Sequence, residues 1–351
     1  MHIIIGYYLS PLKIVEAVCP AVLLAGPPFC STMTTSGSGV LPSVLIPGAQ
    51  KCGSTALAHY LAQHPGCTIS KPKEPSFFSR LGNLDDMEAY SACFRDAQPG
   101  TVSFEASTGY LFEPYVPPRI ARGLLPLQPN LKIVVVLRRP VDRAISAFLH
   151  LRKRMDDRRG MTEALGGFPS QPDDVFAEES RRLADALAVG LIDVERYRPR
   201  YDDYLWQFRY VGNSWYVEFL RRYIELFGRE RLHVVFQEDL RADTTTAMQT
   251  VAAFLGLPPY EGGVLQAEQI NPTLLLPGTN VFRRSPRGPV GAIVRRFPSH
   301  ILPRFGRQDG GGLADNAAAL RDIRSSLDAA LSQQYEQLSG VIGRDVAEIW
   351  S

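Results

Sequence analysis

The strongest constraint on this chain is a turn rich in glycine, with one lysine, between an apolar run and a helical pattern. Val44, Leu45 and Ile46 form the apolar run, and residues 48–55 then read G-A-Q-K-C-G-S-T. Glycines let the backbone approach a ligand closely, and the first amides of a helix point the partial positive charge of its N-terminus at an anion. We therefore predict a strand, a phosphate-binding turn and a helix, with Lys51 adding a full positive charge.

The spacing within this turn argues against a nucleoside triphosphate as the ligand. Loops that grip such nucleotides read Gly-x-x-x-x-Gly-Lys-Ser/Thr, whereas here the lysine precedes the second glycine. We predict a different phosphorylated donor, bound by Lys51, Cys52, Gly53, Ser54 and Thr55. Cys52 is assigned a packing role, because nothing nearby in the sequence would activate its thiol. A purely structural glycine turn stays open as the alternative.

From residue 42 onward, short β-branched runs alternate with amphipathic helical patterns. This alternation predicts an α/β fold with a central, mainly parallel sheet flanked by helices. The predicted strands are 43–46, 101–105, 131–137 and 231–236. The predicted helices are 55–63, 140–151, 214–227, 247–255 and one long helix, whole or broken, over 313–341. Residues 152–209 are charged and irregular, and they predict helices or loops over the binding face.

Composition limits the class of protein. With 45% hydrophobic and 21% charged residues the chain is an ordinary globular sequence, and its net charge of +2 is too small to indicate a nucleic-acid partner. Its five cysteines are odd in number and lack paired ligand spacing, so we predict neither a disulfide scaffold nor a metal site. The arginine-rich stretch 283–307 contains no Asp or Glu and predicts either a solvated loop or a cover over an anionic ligand.

The first 40 residues differ from the rest of the chain. They are largely apolar but contain Lys13, Glu16 and several prolines, and a linker rich in Ser, Thr and Gly follows the apolar part. A membrane span needs about 20 apolar residues with few charges. The segment is therefore a poor span, and a weak signal-anchor stays open. We predict an N-terminal segment over 1–40 and a single domain over 41–351.

Residues 71–78, K-P-K-E-P-S-F-F, place a carboxylate between basic and aromatic side chains. In this position Glu74 can meet a substrate hydroxyl. The alternative is a surface turn with a solvent-screened ion pair. A second acidic segment, F-E-A-S-T-G-Y over 104–110, gives little indication of function by itself.

The segment R-R-P-V-D-R-A-I-S over 138–146 follows the most apolar of the predicted strands. Arg138 lies at the carboxyl end of that strand, where open α/β sheets place their ligands. Ser146 lies about two turns into the helix that follows. A forked guanidinium and a hydroxyl together suit a phosphate, while a helix cap is the alternative for Arg138. Arg143 is expected to tie the helix to neighbouring carboxylates.

Taken together and in this order, these segments resemble the sulfotransferase family that uses 3′-phosphoadenosine 5′-phosphosulfate, above all its carbohydrate (Golgi-type) branch and related microbial members. The matching motifs are G-x-x-K-x-G-S-T, K-E-P-x-F-F, E-A-S and R-x-P-x-x-R-A-x-S, followed by E-D-L at 238–240, F-L-G-L at 254–257 and G-R-D with a tryptophan at 343–350. The resemblance spans residues 42–351. It implies a P-loop-like, three-layer fold in which the helices cover both faces of the sheet.

The resemblance also implies the reaction and its residues. The co-substrate would be 3′-phosphoadenosine 5′-phosphosulfate with no metal, and the acceptor a free hydroxyl, of a glycan as the leading expectation. Lys51 and the amides of the turn would stabilise the leaving group, and Arg138 and Ser146 would hold the 3′-phosphate. Glu74 would act as general base, with Glu105 and His150 as weaker candidates.

The sequence departs from the motifs of this family at a few positions. Arg139 and Ser76 stand where the family often has aspartate and histidine, and 283–287 is a weak match to a basic loop that covers the nucleotide.

The rival functions are a P-loop kinase or nucleotide hydrolase and a non-catalytic nucleotide- or glycan-binding relative. Residues 152–209 are expected to set acceptor selectivity. An anchor in residues 1–40 predicts a type II Golgi membrane enzyme, with a cytoplasmic enzyme as the alternative.

Overall fold

The computed structural model describes residues 39–260 and 313–351. Its centre is a five-stranded sheet in the order β2-β3-β1-β4-β5, in which every neighbouring pair is parallel. The strands are Val44–Gly48 (β1), Cys67–Ile69 (β2), Val102–Glu105 (β3), Lys132–Leu137 (β4) and Leu232–Phe236 (β5). The predicted parallel α/β sheet is confirmed.

Helices separate the strands and cover the sheet. In the first half of the chain they are Ser54–Ala62 (α1), Met87–Ala92 (α2), Val116–Gly123 (α3), Pro140–Lys153 (α4), Met161–Leu165 (α5) and Pro172–Ala188 (α6). In the second half they are Tyr216–Phe227 (α7), Gln237–Ala242 (α8), Thr244–Leu255 (α9), Leu313–Leu331 (α10), Tyr335–Ile342 (α11) and Val346–Trp350 (α12). Residues 152–209 thus contribute two helices and long irregular connections.

The strand order places the end of β1 in the middle of the sheet. Strand β1 pairs with β3 on one side and with β4 on the other. Strand β4 is buried from Ile133 to Leu137, as expected for a parallel strand with helices on both faces. Because all strands run the same way, the segments that follow β1, β3 and β4 leave the sheet at one edge. In open α/β sheets this edge is where ligands bind.

Most predicted boundaries lie within one or two residues of the observed ones, but helices α2, α3 and α8 and strand β2 were not predicted. This strand has three half-buried residues at the sheet edge, too few for a periodic pattern. The long C-terminal helix is broken, because the 3₁₀ turn Ser332–Gln334 separates α10 from α11. Helix α9 begins at Thr244, three residues before the predicted start, since the side chain of Asp243 caps it.

The C-terminal helices are joined to the sheet domain by packing and by ion pairs. Arg139 contacts Asp328 of α10 at 3.1 Å, and Arg324 of α10 contacts Asp142 of α4 at 2.6 Å. The predicted signal-anchor and the arginine-rich stretch lie outside the described residues, apart from the last two residues of 1–40, so a single domain over 41–351 stays a prediction. Across 39–260 and 313–351, no helix combines the length and the apolarity that crossing a bilayer requires.

Candidate active site

The predicted phosphate-binding turn lies between the end of β1 and the start of α1. Gly53 has a φ of 104°, and a Cβ atom there would lie 3.2 Å from the side-chain nitrogen of Gln237, so both backbone and space favour glycine. Lys51 adopts a left-handed φ of 69°, which is uncommon for a residue with a side chain. No side chain of the described residues caps α1. The first amides of the helix therefore remain available to an anion.

Lys51 is a half-buried cation with cationic neighbours. Burial lowers its pKa, and the charges of Arg138, Arg143 and Lys153 lower it further. Among the described residues Lys51 forms no ion pair. Positive charges crowded together repel one another, and a bound anion relieves this repulsion. The turn therefore has both the charge and the backbone geometry that an anion site requires.

The structure places Arg138 beside this turn, while Ser146 lies two turns into α4, the helix that follows Arg138. The guanidinium of Arg138 lies 3.5 Å from the carbonyl oxygen of Lys51, and Tyr216 donates a hydrogen bond of 2.9 Å to the carbonyl oxygen of Arg138. Within the described residues, Arg138 Nε and the hydroxyl of Ser146 are buried without a hydrogen-bond partner. Buried polar atoms are nearly always paired, so these two groups fit an additional anionic ligand. The second predicted phosphate-binding cluster thus adjoins the turn through Arg138.

Arg143 stabilises the backbone of the phosphate-binding turn. It is fully buried and donates to the carbonyl oxygens of Gln50 at 3.2 Å and Tyr210 at 2.8 Å. Its guanidinium also lies 4.9 Å from the centre of the Phe112 ring. Contrary to expectation, Arg143 forms no ion pair with a carboxylate of the described residues, because α4 carries this side chain to the turn, where carbonyl oxygens need donors. Arg143 fixes the turn that presents Lys51.

The thiol of Cys52 is buried, as predicted for a packing residue. Its sulfur lies 3.5 Å from the hydroxyl oxygen of Tyr216. Burial raises the pKa of Cys52 to about 11, so the thiol stays protonated near neutral pH. In the described part of the chain, no three His, Cys, Asp or Glu side chains are grouped so that they could hold a metal ion.

Glu74 is joined to the phosphate-binding turn through Lys73. The ammonium group of Lys73 lies 2.6 Å from one Glu74 carboxylate oxygen and 3.4 Å from the hydroxyl of Thr55. The other carboxylate oxygen accepts a hydrogen bond of 3.4 Å from Thr108. The ion pair of the alternative interpretation exists, but it lies against the turn. The Glu74 side chain is 37% exposed, so an acceptor can reach it.

Lys73 is the functional residue that the sequence reasoning missed. Its position next to Glu74 was visible, but its reach to Thr55 depends on how the segment after β2 returns toward α1. A lysine between a carboxylate and a phosphate-binding turn can neutralise charge on either side. It therefore belongs to the candidate site together with Lys51 and Glu74.

The two weaker candidates for the general base occupy different environments. Glu105 is fully buried and accepts hydrogen bonds of 2.5 Å from the hydroxyls of Tyr90 and Ser107. Burial raises the pKa of Glu105 to about 7. Burial also lowers the pKa of His150 to about 4, and the charge of Lys51 adds to this effect. Glu105 is shielded from an acceptor, and His150 is a weak base at neutral pH.

Part of the segment 152–209 reaches the rim of the site beside Glu74. Burial raises the pKa of Tyr201, whose phenol also interacts with the side chain of Ser76 and with the charge of Glu74. Nearby, the amide of Leu81 donates a hydrogen bond of 2.8 Å to Asp202. The segment predicted to govern acceptor selectivity therefore contacts the residues that flank the candidate base.

Comparisons with known proteins show which family the chain is similar to. The profile of a family described as "Sulfotransferase domain" matches residues 41–271. The bifunctional heparan sulfate N-deacetylase/N-sulfotransferase 1 of Caenorhabditis elegans is 28% identical over 225 residues, which are 63% of this chain and 22% of the relative. The heparan sulfate glucosamine 3-O-sulfotransferase 5 of Homo sapiens is 26% identical over 220 residues, which are 62% of this chain and 54% of the relative. The chain thus spans about a quarter to half of the length of these relatives.

One solved structure gives an independent view of the fold. The sulfotransferase from Alicyclobacillus acidocaldarius aligns with 89% of this chain and with all of its own, at a TM-score of 0.58 and 24% identity. At this identity the likeness concerns the fold alone. It agrees with a P-loop-like α/β architecture built on the parallel sheet.

Proposed function

The chain belongs to the sulfotransferase family, and we propose that it transfers a sulfuryl group from 3′-phosphoadenosine 5′-phosphosulfate to a hydroxyl of a carbohydrate. One observation carries the proposal. The ammonium group of Lys73 contacts both the Glu74 carboxylate and the Thr55 hydroxyl, so a candidate base lies directly beside a phosphate-binding turn. An anion site and a base in contact are what transfer from an anionic donor to a hydroxyl requires.

The donor side of the site is built for two anionic groups on one nucleotide. Lys51 and the first amides of α1 suit the 5′-phosphosulfate, and Lys51 suits the negative charge that develops on the leaving oxygen. Arg138 Nε and the Ser146 hydroxyl, both buried and unpaired among the described residues, suit the 3′-phosphate. Binding at this remote phosphate aligns the reacting sulfur, so binding energy supports the rate.

On the acceptor side, Glu74 takes the proton of the attacking hydroxyl. A bond forms between the acceptor oxygen and sulfur, and the bond between sulfur and the bridging oxygen breaks. The electron pair of the broken bond stays on the 5′-phosphate of the departing adenosine 3′,5′-bisphosphate. Lys73 holds the Glu74 carboxylate toward the turn, and Thr108 donates to its other oxygen.

A glycan acceptor is the more specific part of the proposal. Two relatives bear names that refer to heparan sulfate. The K-E-P-x-F-F element at 73–78 also resembles that of the carbohydrate branch of the family. Glu74 is exposed enough to meet a bulky chain. Lipids, small alcohols or phenols and protein tyrosines are the other acceptor classes to be compared.

Two measurements test the proposal. Titration calorimetry should detect tight binding of adenosine 3′,5′-bisphosphate and much weaker binding of ATP with Mg²⁺; the reverse order would favour the kinase or hydrolase. Radiolabelled donor should then transfer sulfate to glycan chains rather than to lipids, phenols or tyrosine peptides. Binding of the bisphosphate without transfer to any acceptor class would indicate a non-catalytic relative.

Cellular placement is a separate proposal. A signal-anchor in residues 1–40 would make the protein a type II enzyme of the Golgi membrane, where glycan acceptors are available. Expression of the full chain and of residues 41–351, followed by separation of membranes, tests it. Recovery of both forms in the soluble fraction would favour the cytoplasmic alternative.

A further inference from the structure

The segment that carries Glu74 is fastened at both ends to the residues that follow β3. On one side of Glu74, the carbonyl oxygen of Lys73 accepts a hydrogen bond of 3.1 Å from the amide of Ala106. On the other side, the amide of Ser76 donates a hydrogen bond of 3.0 Å to the hydroxyl of Ser107. The position of the candidate base therefore depends on two backbone contacts made by neighbours of Glu105.

Glu105 orients the Ser107 hydroxyl so that its lone pairs are directed to the amide of Ser76. A serine hydroxyl has one proton to donate and two lone pairs with which to accept. Ser107 donates to one carboxylate oxygen of Glu105 at 2.5 Å, while Tyr90 donates to the other at 2.5 Å. The lone pairs of Ser107 then face the amide of Ser76.

The backbone at Ser76 needs such a restraint. Its φ of 52° lies in the left-handed region, which residues with a side chain seldom adopt unless surrounding contacts impose it. Without the acceptor at Ser107, the amide of Ser76 loses the contact that holds this conformation. Glu74 lies two residues away, so relaxation at Ser76 displaces its carboxylate.

We propose that Glu105 is a positioning residue for sulfuryl transfer: through the Ser107 hydroxyl it fixes the backbone at Ser76 and with it the carboxylate of Glu74. This inference rests on the proposed function. Glu105 touches neither donor nor acceptor, since its side chain is fully buried. Glu105 affects the reaction only by placing the base, whereas Lys51 and Arg138 are proposed to bind the donor directly.

The main test is Ser107→Ala, with Ser103→Ala as the matched control. Ser103 is also a buried serine and lies within β3, but its hydroxyl donates to the carbonyl oxygen of Leu41 at 2.8 Å, away from Glu74. In Ser107→Ala we expect kcat to fall roughly tenfold to a hundredfold, as for a misplacement of about 1 Å. The KM for the donor and the Kd for adenosine 3′,5′-bisphosphate should change less than about twofold, because Arg138 and Lys51 are untouched.

A second variant and a second measurement separate positioning from a general loss of structure. Glu105→Gln offers one acceptor oxygen to the hydroxyls of Tyr90, Ser107 and Tyr110, so kcat should fall with donor KM unchanged. Amide hydrogen exchange should be faster at Ser76 in Ser107→Ala but not in Ser103→Ala, and this measurement needs no activity.

Each outcome has one meaning. Normal kcat in both Ser107→Ala and Glu105→Gln would overturn the inference, and so would an equal loss of kcat in Ser103→Ala. A wild-type chain that transfers no sulfate to any acceptor would overturn the proposed function instead. Faster exchange at Ser76 with the expected split between kcat and KM supports the inference.

Discussion

Replacing Glu105 by glutamine should change how the stability of the protein depends on pH. The carboxyl group is fully buried, and burial raises its pKa from 4.5 to about 7 despite hydrogen bonds from Ser107, Tyr90 and Tyr110. The nearby charge of Glu74 raises it further. The folded protein therefore binds this proton more tightly than the unfolded chain does.

The sign and the size of the effect follow from linkage. Below pH 4.5 the group is protonated in both states, so its full contribution to the stability of the fold is present. Between pH 4.5 and about 7 the unfolded chain ionises first, so the free energy of unfolding falls; above about 7 the fall levels off. At 1.36 kcal/mol for each pKa unit, the whole loss amounts to roughly 3 kcal/mol. Most of this loss in the free energy of unfolding should occur between pH 5 and pH 8.

The measurement is urea denaturation of wild type and Glu105→Gln at pH 5, 6, 7 and 8, followed by tryptophan fluorescence. Glutamine does not ionise. From pH 5 to pH 8 the free energy of unfolding of wild type should therefore fall by about 2 to 3 kcal/mol relative to that of the variant. Glu225→Gln is the control, since Glu225 is an exposed carboxylate on α7 and should give curves parallel to wild type. A constant offset between wild type and Glu105→Gln at every pH would refute the reasoning.

Four substitutions test the site itself. Lys51→Ala should lower kcat about 10²- to 10³-fold, because a charge on the leaving oxygen loses its partner; an assay with saturating donor measures it, and a change in KM alone would contradict it. Arg138→Ala should weaken bisphosphate binding roughly tenfold to a hundredfold by calorimetry, as expected for a lost charge-assisted hydrogen bond. Glu74→Gln should lower kcat about 10²-fold or more while bisphosphate binding is retained; near-normal turnover would remove Glu74 as the base. Tyr201→Phe should raise the KM for the acceptor about fivefold and leave the KM for the donor unchanged; an unchanged acceptor KM would exclude the phenol from the acceptor site.

Several parts of the site could be predicted because their signal is local. The turn 48–55 shows its glycines, its lysine and its helix start within eight residues. Strand β4 shows its burial on both faces as an unbroken apolar run. Because Arg138 follows that run directly, its place at the ligand edge of the sheet follows from strand direction alone.

Other parts could not be predicted because their partners lie far away in the chain. Lys73 contacts Thr55, Arg143 contacts the carbonyl oxygen of Tyr210, and neither pairing leaves a mark in local spacing. Strand β2 is missed for a related reason: three edge residues gain their extended form from pairing with β3, not from their own sequence.

The sequence by itself determined which chemical groups are available and in what order: an anion-binding turn, a carboxylate between basic residues, and an arginine and a serine after the central strand. Local sterics and helix-terminus geometry act within a few residues, so a linear pattern is enough to reveal them. Tertiary structure alone decided which groups meet and what their surroundings do to them. Burial of Glu105 and the hydrogen bonds that fasten Ser76 arise from neighbours brought together by the sheet, and desolvation depends on that packing.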